Sequence, residues 1–255
     1  MILDTNKKSK LIFLVVYVLA ACFLLWFWQP VYIISIFVVL VPPAIINFLW
    51  LKESRKKVLI FSLAATLLFA PPVELMARLL NVWDVQSIFP RPFGLIPLEN
   101  MLFAFLNFFW VLSFYEYFIN HDSAAKINKR FRYLILLYIL FSSSVFSLYS
   151  YNHSLVGAQY YVIALIVLVL PGILIFANNR KLLKKTIWPT LFFAVILFVY
   201  ELVSLKIGSW FWPGQYLLSF KIFGAVFPLD DVIIWYFLST PVLIGGYEYF
   251  ADDYK

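Results

Sequence analysis

Five carboxyl groups, Glu74, Glu99, Glu201, Asp230 and Asp231, fall within or at the ends of strongly apolar runs of this 255-residue chain. Charge is costly there, and an acid in such a place marks a functional position. Carboxyls gathered in a low-dielectric site hold their protons more tightly, and a neutral acid near an ionised one can give and take a proton. The chemistry these residues could do is therefore acid–base work away from water. Three of the five, Glu99, Asp230 and Asp231, belong to two variants of one pattern. Ile96-Pro97-Leu98-Glu99-Asn100-Met101-Leu102-Phe103 closes on Tyr115-Glu116-Tyr117-Phe118, and Phe227-Pro228-Leu229-Asp230-Asp231-Val232-Ile233-Ile234 closes on Tyr247-Glu248-Tyr249-Phe250.

Each acid also has a plainer reading. Glu74 has Arg78 one helical turn later, a spacing that suits a structural ion pair. Glu201 has no cation at that spacing. Glu99 and Asp230 follow a proline by two residues, where an acid in a first helical turn satisfies free amides and complements the dipole. Glu116 and Glu248, flanked by tyrosines, read as snorkelling or packing groups at the opposite interface. At about 100° per residue, Phe103, Leu106, Trp110 and Phe114 share a face with Glu99, while Ile234, Phe237, Pro241 and Gly245 share one with Asp230. Each acid thus heads an apolar or aromatic wall, and aromatic faces attract cations cut off from water. An ordinary helix contact or lipid face explains any single ring as well.

These acids are positioned by membrane-spanning helices. The chain is 64% hydrophobic and 13% charged, with mean hydropathy +0.91, against about 45–50% and about 25% in soluble domains. Eight runs approach the length of a span, roughly 11–28, 31–51, 58–80, 97–119, 132–150, 156–177, 186–206 and 228–250. The first follows Lys7, Lys8 and Lys10 but has no small-residue cleavage site, and is expected to be retained. Of the 20 Lys and Arg, 16 fall on one side and Arg78, Arg91, Lys206 and Lys221 on the other, which places both termini in the cytoplasm. With that orientation all five acids lie near the outer boundary, and the loops 81–95 and 208–225, rich in Trp and Phe, dip into the interface as lids or belts.

The expected fold is all-α and integral to the membrane, with eight transmembrane helices as two tandem four-helix repeats, 1–125 and 126–255. Glu74 and Glu201, like Trp83 and Trp210, match at an offset of 127; Pro97 and Pro228, like Glu99 and Asp230, match at 131. Units with an even number of spans share one orientation, and a site between them is expected. The basic residues cluster between spans, so nucleic-acid binding is discarded. There is no dinucleotide fingerprint or Walker loop, and no cytoplasmic acidic pair to hold a magnesium diphosphate. His121 and His153 lie on opposite sides, and the single Cys22 lies in an apolar run. No metal and no cofactor are called for.

The elements Pro-Leu-Glu at 97–99 and Pro-Leu-Asp at 228–230, the Trp83 and Trp210–Trp212 segments before them, and the closing Tyr-Glu at 115–116 and 247–248 together resemble the lycopene cyclase domain family. The resemblance covers both halves, as in the fused form of these integral-membrane carotenoid cyclases. The family pattern is commonly Pro-(Leu/Ile)-Glu-Glu; here the first copy has Glu99-Asn100 and the second Asp230-Asp231. The resemblance implies a lycopene β-cyclase of carotenoid biosynthesis in the cell (inner) membrane, with lycopene taken from the bilayer. Homo-oligomers or association with other carotenoid enzymes stay open. One of Glu99, Asp230 or Asp231 would donate a proton and another accept it, with Glu74 and Glu201 tuning or relaying. Phe103, Trp110, Trp235 and Phe237 would stabilise the cation, and Trp210 and Trp212 would bind substrate. The alternatives are a carotenoid hydratase, in which water captures the same cation, a non-catalytic carotenoid-binding subunit, and a small proton-coupled transporter.

Overall fold

The computed structural model describes residues 4–122, 126–177 and 179–252. It is 74% helical, and among the described residues eight helices are long and apolar enough to cross a membrane. They are α1 Thr5–Trp28, α2 Tyr32–Trp50, α3 Arg55–Leu79, α4 Leu98–Phe118, α5 Phe131–Tyr151, α6 Tyr160–Ala177, α7 Arg180–Lys206 and α8 Leu229–Phe250. The architecture is that of a multi-pass membrane protein. Two helices begin well before the apolar runs do. The Asp4 side chain accepts the amide of Lys7 at 2.7 Å, and Asn179 accepts that of Leu182 at 3.1 Å. These caps start α1 at Thr5 and α7 at Arg180 rather than near 11 and 186. Hydropathy marks where lipid is crossed, whereas the cap marks where the backbone starts to coil.

Prolines interrupt the helices, and neighbouring hydroxyls repair the gaps. A proline at position i cannot bond the carbonyl of residue i−4, and a bare carbonyl in hydrocarbon costs several kcal/mol. Pro42 would leave the Val38 carbonyl bare, and the Tyr17 hydroxyl of α1 donates to it at 2.7 Å. Pro72 does the same to Leu68, whose carbonyl accepts from Ser142 of α5. The wide π-type turns that break α3, α6 and α8 fall at Ala65–Phe69, Leu165–Val169 and Val232–Tyr236. Such turns recur at functional sites, and all three border the cavity described below.

Around this scaffold, α4 lies against α2 and α3, α7 runs along α8 and α1, α5 leans on α3, and α6 leans on α8. Large apolar side chains such as Ile12, Phe23, Leu67, Leu136 and Leu174 face outward, suited to lipid. At the end where α3 and α7 finish, two short sheets close the bundle. The strands β1 Asp84–Val85 and β2 Trp210–Phe211 pair antiparallel, tying the two long loops together. The hairpin β3 Ser219–Ile222 and β4 Ala225–Pro228 turns through Phe223 and Gly224. Both have positive φ (50° and 84°), as a two-residue hairpin turn matching the strand twist requires.

The opposite end corrects an expectation. Of the two readings of Glu116 and Glu248, snorkelling or packing, the second holds, since both are buried. Lys57, which the sequence placed among solvated loop cations, is wholly buried with its Nζ 3.1 Å from Glu116 Oε1 and 2.7 Å from Asp252 Oδ1. Tyr247 donates to Glu116 and Tyr115 donates to Glu248, so α4 and α8 exchange reciprocal bonds around one lysine. Nearby, Asp122 accepts the amides of Lys52, Glu53 and Ser54 at 2.5–3.0 Å, together with the Ser54 hydroxyl. It thereby caps the start of α3 from another loop. Burial acts to raise the proton affinity of Asp122, but the Ser54 and backbone bonds outweigh it and hold the carboxyl below its ordinary range. Its stabilising contribution is then full above the unfolded-state value and lost as pH falls through the folded one. Asp122→Ala is expected to cost about 1–2 kcal/mol. Detergent thermal unfolding should show that difference at neutral pH and see it narrow in acid.

Candidate functional site

A cavity of about 650 Å³ runs along the bundle among α3, α4, α5, α6, α7 and α8. Its walls are mainly aliphatic and aromatic; Glu74, Asn100, Glu201 and Asp231 gather at the end that the sheets close, and Asn107, Ser144 and Ser239 line it farther along. An apolar pocket with a few convergent polar groups is the usual form of a small-molecule site.

The acids fall into two environments. Glu74, on α3, lies 3.5 Å from the guanidinium of Arg78, one turn on. It accepts the indole N–H of Trp83 at 3.0 Å and a bond from the Asn100 amide. Tyr32 donates to Asn100 at 3.1 Å, and Arg78 reaches on to Asp84, which Arg91 also contacts at 3.0 Å. Glu74 therefore has a counter-charge and a ring of donors. Glu201, on α7, accepts the indole N–H of Trp212 at 2.7 Å. Asp231, on α8, faces Glu201 and lies 3.4 Å from the Tyr160 hydroxyl. Tyr236 is buried between the two carboxyls. Among the described residues no salt bridge reaches Glu201 or Asp231. Two like groups without a counter-ion in a dry place are neutral together only when protonated.

The other expected site residues are divided. Glu99 lies outside the cavity: its carboxylate accepts Ser87 Oγ at 2.7 Å and the amides of Ile88 and Phe89 at 2.7 and 3.0 Å. Asp230 likewise takes the Leu218 amide at 3.0 Å. Both fasten the covering loops, the plainer role for a first-turn acid. Phe103, Trp210, Trp212 and Trp235 line the cavity. Phe103 meets Trp210 edge-on at 5.0 Å, and Trp83 meets Trp235 edge-on at 5.8 Å. Trp110 is instead buried against Phe193 at 5.0 Å, and Phe237 is 43% exposed on the far side of α8. Apart from Phe103, the walls expected beneath Glu99 and Asp230 thus point elsewhere. The cavity-facing phase starts one residue later, from Asn100 and Asp231, and one residue turns a helix by about 100°.

Sequence reasoning counted Asn100 as an acid lost and passed over Tyr32, Tyr200 and Tyr236. Asn100 and Asp231 stand at the same offset as Glu99 and Asp230, a signal already present in the chain. The tyrosines carried none, because they are scattered among 16. As to chemistry, the arrangement offers two facing carboxyls with no salt bridge among the described residues, a separate carboxyl beside a cation, and indole faces between them. A scan against protein-family models finds no match, and comparison with curated proteins and with solved structures finds none either.

Proposed function

We propose that the chain is an integral-membrane lycopene β-cyclase of the cell membrane, built as two tandem four-helix units, 1–125 and 126–255, with both termini cytoplasmic. The observation that carries the reading is the uncompensated pair Glu201 and Asp231, set across an aromatic cavity from the Arg78-held Glu74. The tandem arrangement is supported by equivalent bonds in both halves: Trp83 to Glu74 and Trp212 to Glu201, then Tyr115 to Glu248 and Tyr247 to Glu116. The distribution of Lys and Arg supports the orientation. The Pro-Leu-acid segments at 97–99 and 228–230, which resemble those of the lycopene cyclase domain, supply the choice of substrate.

In this reading the protonated member of the Glu201–Asp231 pair gives its proton to the terminal double bond of a lycopene ψ-end group, leaving a tertiary carbocation. The neighbouring double bond attacks the cation and closes a six-membered ring, which moves the charge onto a ring carbon. Loss of a proton from the adjacent carbon to a carboxylate restores a double bond, so the product is an isomer and no redox partner is consumed. Positioned proton transfer is worth about 10²- to 10⁴-fold. Trp83, Trp212 and Trp235 present faces that stabilise the cation, and the closed loops exclude the water that would trap it. Glu74, Asn100 and Tyr32 hold the acceptor side in place.

Expression in cells that accumulate lycopene tests this directly. γ- or β-carotene is expected among the extracted pigments. Hydroxylated acyclic products would replace the reading with a hydratase, and unchanged lycopene with a binding subunit.

A further inference from the structure

We propose that the cavity is loaded sideways from the bilayer through a slot between α5 and α6, that it takes one end of an elongated acyclic polyene, and that Gly246 marks how deep the chain runs. The substrate class rests on the cyclase reading, whereas the route and the depth rest on geometry alone. α5 leans on α3, with Ser142 bonded to the Leu68 carbonyl, and α6 leans on α8; the two are not packed along each other. Leu137 and Leu140 of α5 and Ile166 of α6 line the cavity, yet they are 56%, 57% and 38% exposed to the outside. Side chains that face a cavity and the bilayer at once are the lips of an opening between them.

Both ends of the cavity are stopped. The paired loops cover the acid end, and at the other Phe61 meets Tyr247 edge-on at 5.4 Å above the buried Lys57 network. A ligand that comes and goes therefore passes through the side, and its source is lipid. Between the acids and the deep end most of the wall, including Phe69, Val73, Leu168, Val242 and Leu243, offers no hydrogen bond from its side chains, and the uncharged Asn107, Ser144 and Ser239 are among its few polar groups. With charged groups only at the acid end, the occupant is largely apolar along its length and reactive at its tip.

Two adjacent glycines near the deep end do different things. A Cβ on Gly245 would lie 2.8 Å from Ile175 Cγ2 and 3.1 Å from Phe176 Cζ, so this glycine lets α6 approach α8. A Cβ on Gly246 would meet nothing within 4 Å, and Gly246 lines the cavity. Gly246 is 15 residues along α8 from Asp231, about 22 Å at the helical rise. The bare backbone there leaves room for a chain that has already run most of the length of the span.

The test uses the purified full chain in detergent, with quenching of tryptophan fluorescence as the readout, since Trp83, Trp210, Trp212 and Trp235 line the cavity. The probes are lycopene and the shorter linear polyene parinaric acid methyl ester. The wild type should be quenched by both. Gly246→Phe should weaken lycopene binding by about tenfold or more, as expected when at least two methylene-sized groups lose their place, and should leave the short ester bound as before. Leu140→Phe combined with Ile166→Phe should slow lycopene association. Lycopene bound by Gly246→Phe as by wild type, or entering the slot variant at the wild-type rate, overturns the proposal. Loss of both ligands by Gly246→Phe counts equally against it, because a Cβ at Gly246 meets nothing within 4 Å. Quenching of the wild type without ring formation would discard the cyclase reading and leave this one standing; ring formation with variants that bind normally would do the reverse.

Discussion

Asp231→Asn and Glu201→Gln are each expected to lower ring formation by about 10²- to 10⁴-fold, the contribution of a positioned proton transfer. Both substitutions preserve shape and hydrogen-bonding capacity while removing the acidic proton, so the Trp212 indole and the Tyr160 hydroxyl keep a partner. The double variant should be little worse than either single one, because groups that act as a unit do not add. Glu99→Gln is the contrasting case. Its carboxylate binds Ser87 and the amides of Ile88 and Phe89 outside the cavity, so it should lose stability of the loop and keep most of its turnover. The measurement is the ratio of cyclic to acyclic pigment, normalised to the amount of inserted protein. Near-wild-type ring closure by Asp231→Asn would sink the assignment, and a Glu99→Gln variant as dead as Asp231→Asn would move the donor back to the first copy.

The second large effect lies at the opposite end and concerns folding. Lys57→Met is expected to destabilise the protein by about 3–5 kcal/mol, the usual cost of stripping one partner from a buried ion pair. That is a large part of a total of about 5–15 kcal/mol. Lys57 is the cation for Glu116 and Asp252, with Glu248 close by through the crossed tyrosine bonds. Removing it takes away the cation that Glu116 and Asp252 share in a low dielectric. Adding Glu116→Gln and Asp252→Asn to Lys57→Met should recover part of the loss, since a neutral hydrogen-bonded cluster replaces uncompensated charge. Thermal unfolding in detergent and the yield of inserted protein report both steps. A Lys57→Met protein as stable as wild type would show that the network does not hold α3, α4 and α8 together.

Much of this could be read from the chain, and the reasons differ by residue. The eight spans were legible because hydropathy over about 20 residues is dictated by bilayer thickness. The Glu74–Arg78 pair was legible because it is local, one turn on one helix. The phase of α4 and α8 was not. Two adjacent polar residues stood at the head of each helix, and only contacts with the loops show that Glu99 and Asp230 fasten those loops while Asn100 and Asp231 face inward. Lys57 was misread for a related reason: its neighbours Lys52, Arg55 and Lys56 do mark a solvated loop, and nothing local sets it apart from them.

What the sequence determined by itself was the solvent, the number of crossings, and the recurrence of an acid behind each Pro-Leu. These follow from composition and short-range spacing, whose energetics are complete within one helix and its surrounding lipid. What only the tertiary structure decided was which acids share a cavity, which fasten loops instead, and where the bundle is open. Those depend on helix rotation and on partners more than 100 residues apart, such as Tyr115 with Glu248 or Val85 beside Trp210. A rotation of one residue moves a carboxyl from a loop to a cavity without altering hydropathy, and therefore leaves no trace in the pattern from which the spans were read.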